Sequence, residues 1–480
     1  NGVRGGSATV HFPIWHQEIE DILVLKNNKG TEDNRVRKLD YSIQISKLFY
    51  ERFIKDEDIT LFSPHECPDL YEAFGMPEFD EMYEKYERKT SITKKKIRAQ
   101  TLFMDLLKER AETGRIYIMN IDHCNTHSSF KDKVYMSNLC QEITLPTTPI
   151  KHIDDPDGEI ALCILSAINL GLIKEKDELK DLCDLSVRAL EEIIDYQEYP
   201  VEAAKKSTLA RRSLGIGYIG LAHFLAKNKV KYDDKEAWKL VDEITEAFQY
   251  YLLKASNTLA KERGACEYFD KTKYSDGILP IDSYKKDVDT LVKRKLSYNW
   301  NSLRKDIKES GLRHSTLSAQ MPSESSSVVS NATNGVEPPR DFLSIKKSKK
   351  GTLKQIVPDY NRLKNFYTLL WDMKSNEGYI NAISVMQKYF DQAISGNWSY
   401  NPENYKDGEV PTSVMANDLL TTYKLGWKTS YYQNTYDAKA DIDEPAHPLG
   451  WHDGVKDDMK PREEFKSDED YQEYCEACAI

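Results

Sequence analysis

Ser137-Asn138-Leu139-Cys140-Gln141-Glu142 sets an amide, a thiol and a carboxylate at alternate positions of one short segment. In an extended chain alternate side chains lie on one face about 7 Å apart, so Asn138, Cys140 and Glu142 would share a surface. Two readings stand. The three groups form a small catalytic unit of hydrogen-bonding amide, thiol and base, or Cys140 is a buried core residue whose polar neighbours are met by the backbone. The segment lies in a strand candidate, Met136 to Leu145. The next candidate, Glu159 to Leu165, holds Cys163 and can return beside the first after a turn over Asp154 to Gly158. Cys163 then either faces the same pocket or is an ordinary core cysteine.

Outward from this pair, Thr9 to Ile14 and Ile116 to Met119 read as buried strands, and Trp15 to Lys26 carries apolar residues at helical spacing. Long helical patterns cover Asp177 to Tyr196 and Lys235 to Glu262, and further strands are expected at Ser315 to Met321 and Trp427 to Tyr432. Strands separated by long helices imply an α/β fold, with few strands for 480 residues. From Asp437 onward Asp, Glu, Lys, His and Pro dominate, so residues 1–436 are expected to form the folded body and 437–480 a flexible tail.

The hydrophobic content of 40% suits a large core, and the net charge of −11 disfavours nonspecific nucleic-acid binding by the whole surface. No apolar run reaches membrane-spanning length and no secretory leader is visible, so the reading is cytosolic. Eight irregularly spaced cysteines suggest reduced thiols or redox catalysis more than a disulfide framework. Cys67, Cys124, Cys183 and Cys266 are read as structural. The opening Asn1-Gly2-Val3-Arg4-Gly5-Gly6 looks like the middle of a loop, and a preceding segment is expected.

Other motifs carry their own alternatives. Ser323-Glu324-Ser325-Ser326-Ser327, followed by Asn331-Ala332-Thr333-Asn334-Gly335, either cradles an anion with hydroxyls and backbone N–H groups or caps a helix in a surface turn. Gly215-Ile216-Gly217-Tyr218-Ile219-Gly220 matches a dinucleotide fingerprint as a string. The preceding Ala203 to Ser213 is basic and helix-like, which favours a glycine-assisted helix junction. Asp122-His123-Cys124 with His127 lacks a recognised zinc spacing, and no metal is assigned. The runs Lys94 to Lys96 and Lys346 to Lys350 read as solvated faces, and Tyr431-Tyr432 by itself as packing. Cys475-Glu476-Ala477-Cys478 has no core to stabilise, and its closeness suits reversible disulfide formation.

Taken in order, Asn-Leu-Cys-x-Glu, the following-strand cysteine, Pro-Ser-Glu-Ser-Ser, Asn-Ala-Thr-Asn-Gly, Tyr-Tyr-Gln-Asn and the terminal cysteine pair resemble the large subunit of class I ribonucleotide reductase. The resemblance runs from residue 1 to residue 480. It implies most of a ten-stranded α/β barrel with its first strand or strands missing. Cys140 would become a thiyl radical, Glu142 the general base held by Asn138, and Cys163 one of two reducing thiols. Ser323, Glu324, Ser325 and Ser326 would bind the substrate diphosphate. Tyr431 and Tyr432 would pass an oxidising equivalent from a small subunit with a di-iron tyrosyl centre, and Cys475 and Cys478 would be recharged by a thioredoxin- or glutaredoxin-like reductant.

The same resemblance places the second reducing cysteine, the amino-terminal cone and most allosteric nucleotide binding in an upstream polypeptide. Partners are therefore that polypeptide, the small subunit, the reductant and a ribonucleoside diphosphate, with neither membrane nor nucleic acid. This chain itself would bind no cofactor. Two alternatives are a thiol-disulfide oxidoreductase acting through Cys475 and Cys478, and an inactive scaffold for the small subunit.

Overall fold

A computed structural model describes residues 6–348 and 351–437. Among these residues twelve strands form: β1 (Thr9–Pro13), β2 (Asp40–Ile45), β3 (Asp58–Phe62), β4 (Lys94–Arg98), β5 (Ile116–Asn120), β6 (Ile164–Asn169), β7 (Leu214–Ile219), β8 (Leu343–Ser348), β9 (Gly351–Ile356), β10 (Trp398–Tyr400), β11 (Thr429–Ser430) and β12 (Gln433–Thr435). Parallel β1, β2 and β5 build one sheet in the order β1-β2-β5-β11, with β11 antiparallel to β5. A second set begins with parallel β6 and β7 and continues through isolated parallel bridges, Ile216 to Ser318 and Gln320 to Ile394. Every residue of β2, β5 and β7 is buried, which suits parallel strands covered on both faces. The α/β class read from the sequence holds.

The two long helices also form as their apolar spacing predicts, Glu178–Tyr196 and Lys235–Arg263. Their inward stripes, Leu179, Cys183, Val187, Leu190 and Ile194 on the first and Val241, Ile244, Phe248, Leu252 and Leu259 among those on the second, join one hydrophobic core.

Several expected elements differ. Between Trp15 and Lys26 only Ile19–Leu23 is helical, because the Gln17 N–H is taken by the Phe62 carbonyl at the end of β3. Met136 to Leu145 is no strand: Gln141 sits in the left-handed region (φ 71°) and the Asn138 and Ser137 side chains bond Ile143 backbone groups instead of a ladder. Regular pairing near Cys163 starts only at Ile164. Its partner β7 begins at Leu214, just after left-handed Arg212, so Glu159 to Cys163 have no strand to meet there. Ser315 to Met321 stays extended with isolated bridges, since the Leu317 and Ser318 N–H groups donate to the buried Asp391 carboxylate. Within Trp427 to Tyr432 only Thr429–Ser430 is a strand. The tyrosines lie where the chain leaves β5 for β10, with Tyr431 N–H on the Gly396 carbonyl and Trp398 N–H on that of Tyr432.

The glycine string is the buried strand β7 rather than a helix junction, and only Gly220 (φ 76°) turns the chain into the helix Leu221–Lys227. Its glycines allow close approach. A Cβ on Gly217 would stand 2.7 Å from the Ala319 carbonyl oxygen and 2.9 Å from Gln320 Oε1, and one on Gly215 would stand 2.8 Å from Cys163 Sγ. Gly217→Ala should therefore cost about 1–3 kcal/mol, read as a lower urea midpoint at unchanged m-value. An unchanged midpoint would mean that the strands at Gly217 and Ala319 are free to separate.

Candidate active site

The Cys140 segment is a loop standing between the two strand sets. From the first set, Thr9 Oγ1 donates to the Leu139 carbonyl (3.0 Å), Ser42 Oγ to Gln141 Oε1 (2.9 Å) and Thr429 Oγ1 to the Gln141 carbonyl (2.8 Å). From the second, Ala393 N–H donates to the Glu142 carbonyl (3.0 Å) and the Ser395 hydroxyl to that of Cys140. The loop thereby gains the backbone satisfaction that a strand would have found in a ladder.

Glu142 is buried, and burial pushes its carboxyl up to about 7 against the opposing pull of hydrogen bonds from its backbone, Asn138 and Ser395. Ser395 Oγ lies 3.3 Å from Glu142 Oε2. Asn138 also accepts from Ile143 N–H (3.1 Å) through Oδ1, which fixes its amide. Asn138 and Glu142 thus meet around a turn rather than on a strand face, with the Cys140 carbonyl tied to the same Ser395 hydroxyl. Cys163 comes to the same place from the other side. Gln392 Nε2 points at its sulfur (3.7 Å), Gly215 leaves the space for it, and burial, reinforced by the Glu142 and Asp391 carboxylates, pushes the thiol well above its usual range.

Three hydroxyl and thiol groups form a line. The Tyr431 hydroxyl is 3.6 Å from Cys140 Sγ and 2.7 Å from the Tyr432 hydroxyl, and the two rings are 3.8 Å apart between centroids. Burial raises both phenols, Tyr431 far above its ordinary value. Arg110, fully buried, holds the Tyr431 and Tyr432 carbonyls at 2.7 and 3.3 Å, and the Arg115 guanidinium lies 5.1 Å from the Tyr432 ring centre. Tyr117 of β5 packs 4.8 Å from the Tyr431 ring.

Ser323 follows Gln320, the residue bridged to Ile394, by three positions and precedes the helix Glu324–Val329. It is buried and donates to the Met321 carbonyl (3.0 Å), while Ser325 and Ser326 are exposed. Ser327 Oγ accepts from Gly335 N–H (3.2 Å), which brings the Asn-Ala-Thr-Asn-Gly turn against this helix. The side chains near Asp122 are engaged in holding other segments: His123 Nδ1 meets the Trp427 carbonyl, His127 bridges Ser283 and Gln387, and Asp122 accepts from Tyr423. Among the described residues no group of three or more His, Cys, Asp or Glu is placed to hold a metal. Cys475 and Cys478 lie outside the described residues.

Sequence reading missed Ser395, Gln392, Arg110, Arg115 and Tyr117. The one available signal was Gln392-Ala393-Ile394-Ser395-Gly396-Asn397, uncharged polar residues spaced through a stretch otherwise suited to burial.

A family model described as ribonucleotide reductase, barrel domain, matches residues 1–433. The ribonucleoside-diphosphate reductase subunit alpha of Haemophilus influenzae is 59% identical over 448 residues, 92% of this chain and 59% of the relative. The ribonucleoside-diphosphate reductase 1 subunit alpha of Escherichia coli is 55% identical over 460 residues (95% and 60%), and the subunit alpha of phage T4 44% over 452 (92% and 59%). The chain spans about three fifths of the length of these curated relatives.

The raised carboxyl of Glu142 has a stability consequence. Between the ordinary carboxyl range and about pH 7 the folded chain holds a proton that the unfolded chain has released, so stability falls as pH rises through that window. Glu142→Gln cannot ionise. It should be more stable than the parent by on the order of 3 kcal/mol at pH 8, the gap closing toward pH 4, in denaturant titrations at each pH. A gap independent of pH would contradict the buried, raised carboxyl.

Proposed function

The chain belongs to the ribonucleotide reductase family through its barrel domain, and from that membership we propose that it carries the active site of a ribonucleoside-diphosphate reductase, working with a separate upstream polypeptide and a radical-generating small subunit. The observation that carries this reading is the unbroken line from the Tyr432 hydroxyl through Tyr431 to Cys140 Sγ, ending beside Glu142 and Cys163. A disulfide oxidoreductase acting through its tail would have no use for such a line, nor would a scaffold.

The chemistry follows from the groups present. A phenolate is costly in so buried a place, so each phenol gives up its electron and proton together, and the short hydroxyl contacts offer the proton its path. Oxidation then reaches Cys140, whose thiyl radical takes the hydrogen from C3′ of the ribose. Glu142, with its carboxyl near neutrality, accepts the 3′-hydroxyl proton and is held for the task by Asn138. The 2′-hydroxyl leaves as water with a proton from a thiol. Cys163 and a second thiol together give two electrons and become a disulfide, and the hydrogen on Cys140 returns to C3′. Ribonucleoside diphosphate and two thiols thus become 2′-deoxyribonucleoside diphosphate, water and a disulfide. Ser323, Glu324, Ser325 and Ser326 bind the diphosphate at the helix start that follows Gln320.

The second thiol, the remaining barrel strand or strands and most allosteric nucleotide binding belong to the upstream polypeptide. In support, β6 has one ladder partner among the described residues, and β1 likewise. On the helix after β6, Leu185 and Tyr196 lie away from the core stripe, 65% and 91% exposed. The oxidising equivalent comes from a di-iron tyrosyl centre in the small subunit. No helix of the described residues is long and apolar enough to cross a membrane; the cytoplasm is part of the proposal, as the place where such a reductase would work.

With both partners present the chain should reduce ribonucleoside diphosphates over many turnovers, and with the small subunit alone it should not. Cys140→Ser and Tyr431→Phe should each lower turnover at least about a thousandfold, because an alcohol O–H is too strong to replace the thiol and phenylalanine has no phenol to oxidise. Substrate affinity, measured by equilibrium dialysis, should stay within about twofold. Turnover at the parent rate in either variant would remove that residue from the path.

Cys475 and Cys478 close the cycle. Together, Cys475→Ser and Cys478→Ser should abolish turnover driven by a thioredoxin-like protein, leave turnover driven by a small dithiol, and preserve one burst of product in the pre-reduced enzyme. Loss of that burst would place the tail thiols in the chemical step itself.

A further inference from the structure

The stretch Gln392 to Ser395 touches three residues of this chain's pocket, Cys163, Glu142 and Cys140. Gln392 Nε2 meets Cys163 Sγ, Ala393 N–H meets the Glu142 carbonyl, and Ser395 Oγ meets both the Cys140 carbonyl and Glu142 Oε2. We propose that Ser395 is a positioning residue whose single hydroxyl, shared between the Glu142 carboxyl and the Cys140 carbonyl, couples the base to the loop that carries the radical thiol. The roles of base and thiol rest on the function proposed above; the coupling between the two groups does not.

The backbone leaves this hydroxyl little freedom to serve anything else. Gln392 N–H donates to the Ser318 carbonyl and Ser395 N–H to that of Gln320, both at 3.0 Å, and the Lys428 ammonium holds the Asp391 and Gln392 carbonyls at 2.8 and 2.9 Å. Ser395 is buried, so water is a poor substitute partner. A serine hydroxyl has one proton to give and can also accept. When Glu142 is a carboxylic acid, Oε2 needs no donor, and the Ser395 proton stays on the Cys140 carbonyl. When Glu142 is a carboxylate, both oxygens can only accept, and the one Ser395 proton serves either the carboxylate or the carbonyl. Loss of the Glu142 proton therefore competes with the bond that anchors the Cys140 backbone. Proton transfer from the substrate restores that anchor as it occurs.

Other titratable groups stand around Glu142: Cys140 in its own loop, Cys163 beside β6, Tyr431 beyond Cys140, and Asp391 with Lys428 behind Gln392. The elevation of Glu142 comes from burial, and its own backbone, Asn138 and Ser395 are the groups that oppose it. Removing the Ser395 hydroxyl deletes one bond to the charged form, so Glu142 should hold its proton to higher pH.

Infrared difference titration of the full chain tests this without requiring turnover. The protonated Glu142 band is identified by its loss in Glu142→Gln, and its midpoint is followed in Ser395→Ala, Ser395→Gly and Ser395→Thr. The two variants without a hydroxyl should move the midpoint up by about 0.5–1 pH unit, the size of one hydrogen bond, while threonine should keep it near the parent value. In the assembled reductase the acid limb of kcat/KM should move by the same amount for Ser395→Ala. An unmoved midpoint in the alanine or glycine variant would overturn the inference, as would equal shifts in all three, which would assign the effect to packing. Absence of ribonucleotide reduction by the assembled parent enzyme would instead overturn the proposed function, and the infrared titration would still decide the role of Ser395.

Discussion

The carbonyls of Leu139, Cys140, Gln141 and Glu142 are met in turn by Thr9, Ser395, Thr429 and Ala393, four donors from three separate stretches of chain. A segment with no ladder of its own can stand inside a fold only if its polar backbone is answered in this way, because each unmet buried group costs a few kcal/mol. The requirement reaches far. It demands that β1, β11 and the 392–395 stretch end at the right height around the loop, and so ties residues 9 and 429 to one position in space. It also explains why three of the four donors are hydroxyls or lie beside one: short side chains can reach inward where a backbone N–H cannot.

Charge around this loop is placed with the same economy. Asp391 is deeply buried, and Leu317 N–H, Ser318 N–H, Ser318 Oγ and Tyr274 OH all donate to it, so it anchors the strand. Lys428 gives its ammonium to backbone carbonyls, and Arg110 does the same for both tyrosines. Both side chains act on the backbone, and burial lowers Lys428 to about 7. Glu142 is left with neutral partners, and a carboxyl that burial alone raises is one that can gain and lose a proton near neutrality. The phenols beyond Cys140 are likewise enclosed, which favours coupled loss of proton and electron over a standing phenolate.

The two strand sets, each with an open outer edge among the described residues, belong to a chain that spans about three fifths of the length of its curated relatives. An unpaired parallel edge with exposed apolar neighbours is a surface on which another strand can pair.

The sequence alone determined the α/β class, both long helices and the order along the chain of the groups proposed for chemistry. Those follow from local information: side-chain period marks which face is apolar, and an amide, a thiol and a carboxylate declare their reactivity wherever they stand. It could not determine that Asn138, Cys140 and Glu142 sit on a turn. Ser137 and Asn138 bond backbone groups a few residues away, and that choice wins only because Thr9, Thr429 and Ala393 then satisfy what the lost ladder would have. Nor could it read Gly215-Ile216-Gly217 as a strand, since its glycines answer to Cys163 and Ala319, partners about 50 and 100 residues away in the chain. Tyr431 facing Cys140, and Ser395 facing Glu142, are contacts across 291 and 253 residues. No local pattern encodes such meetings; they exist because the two strand sets close around the loop, and only the tertiary structure decides where that closure brings each side chain.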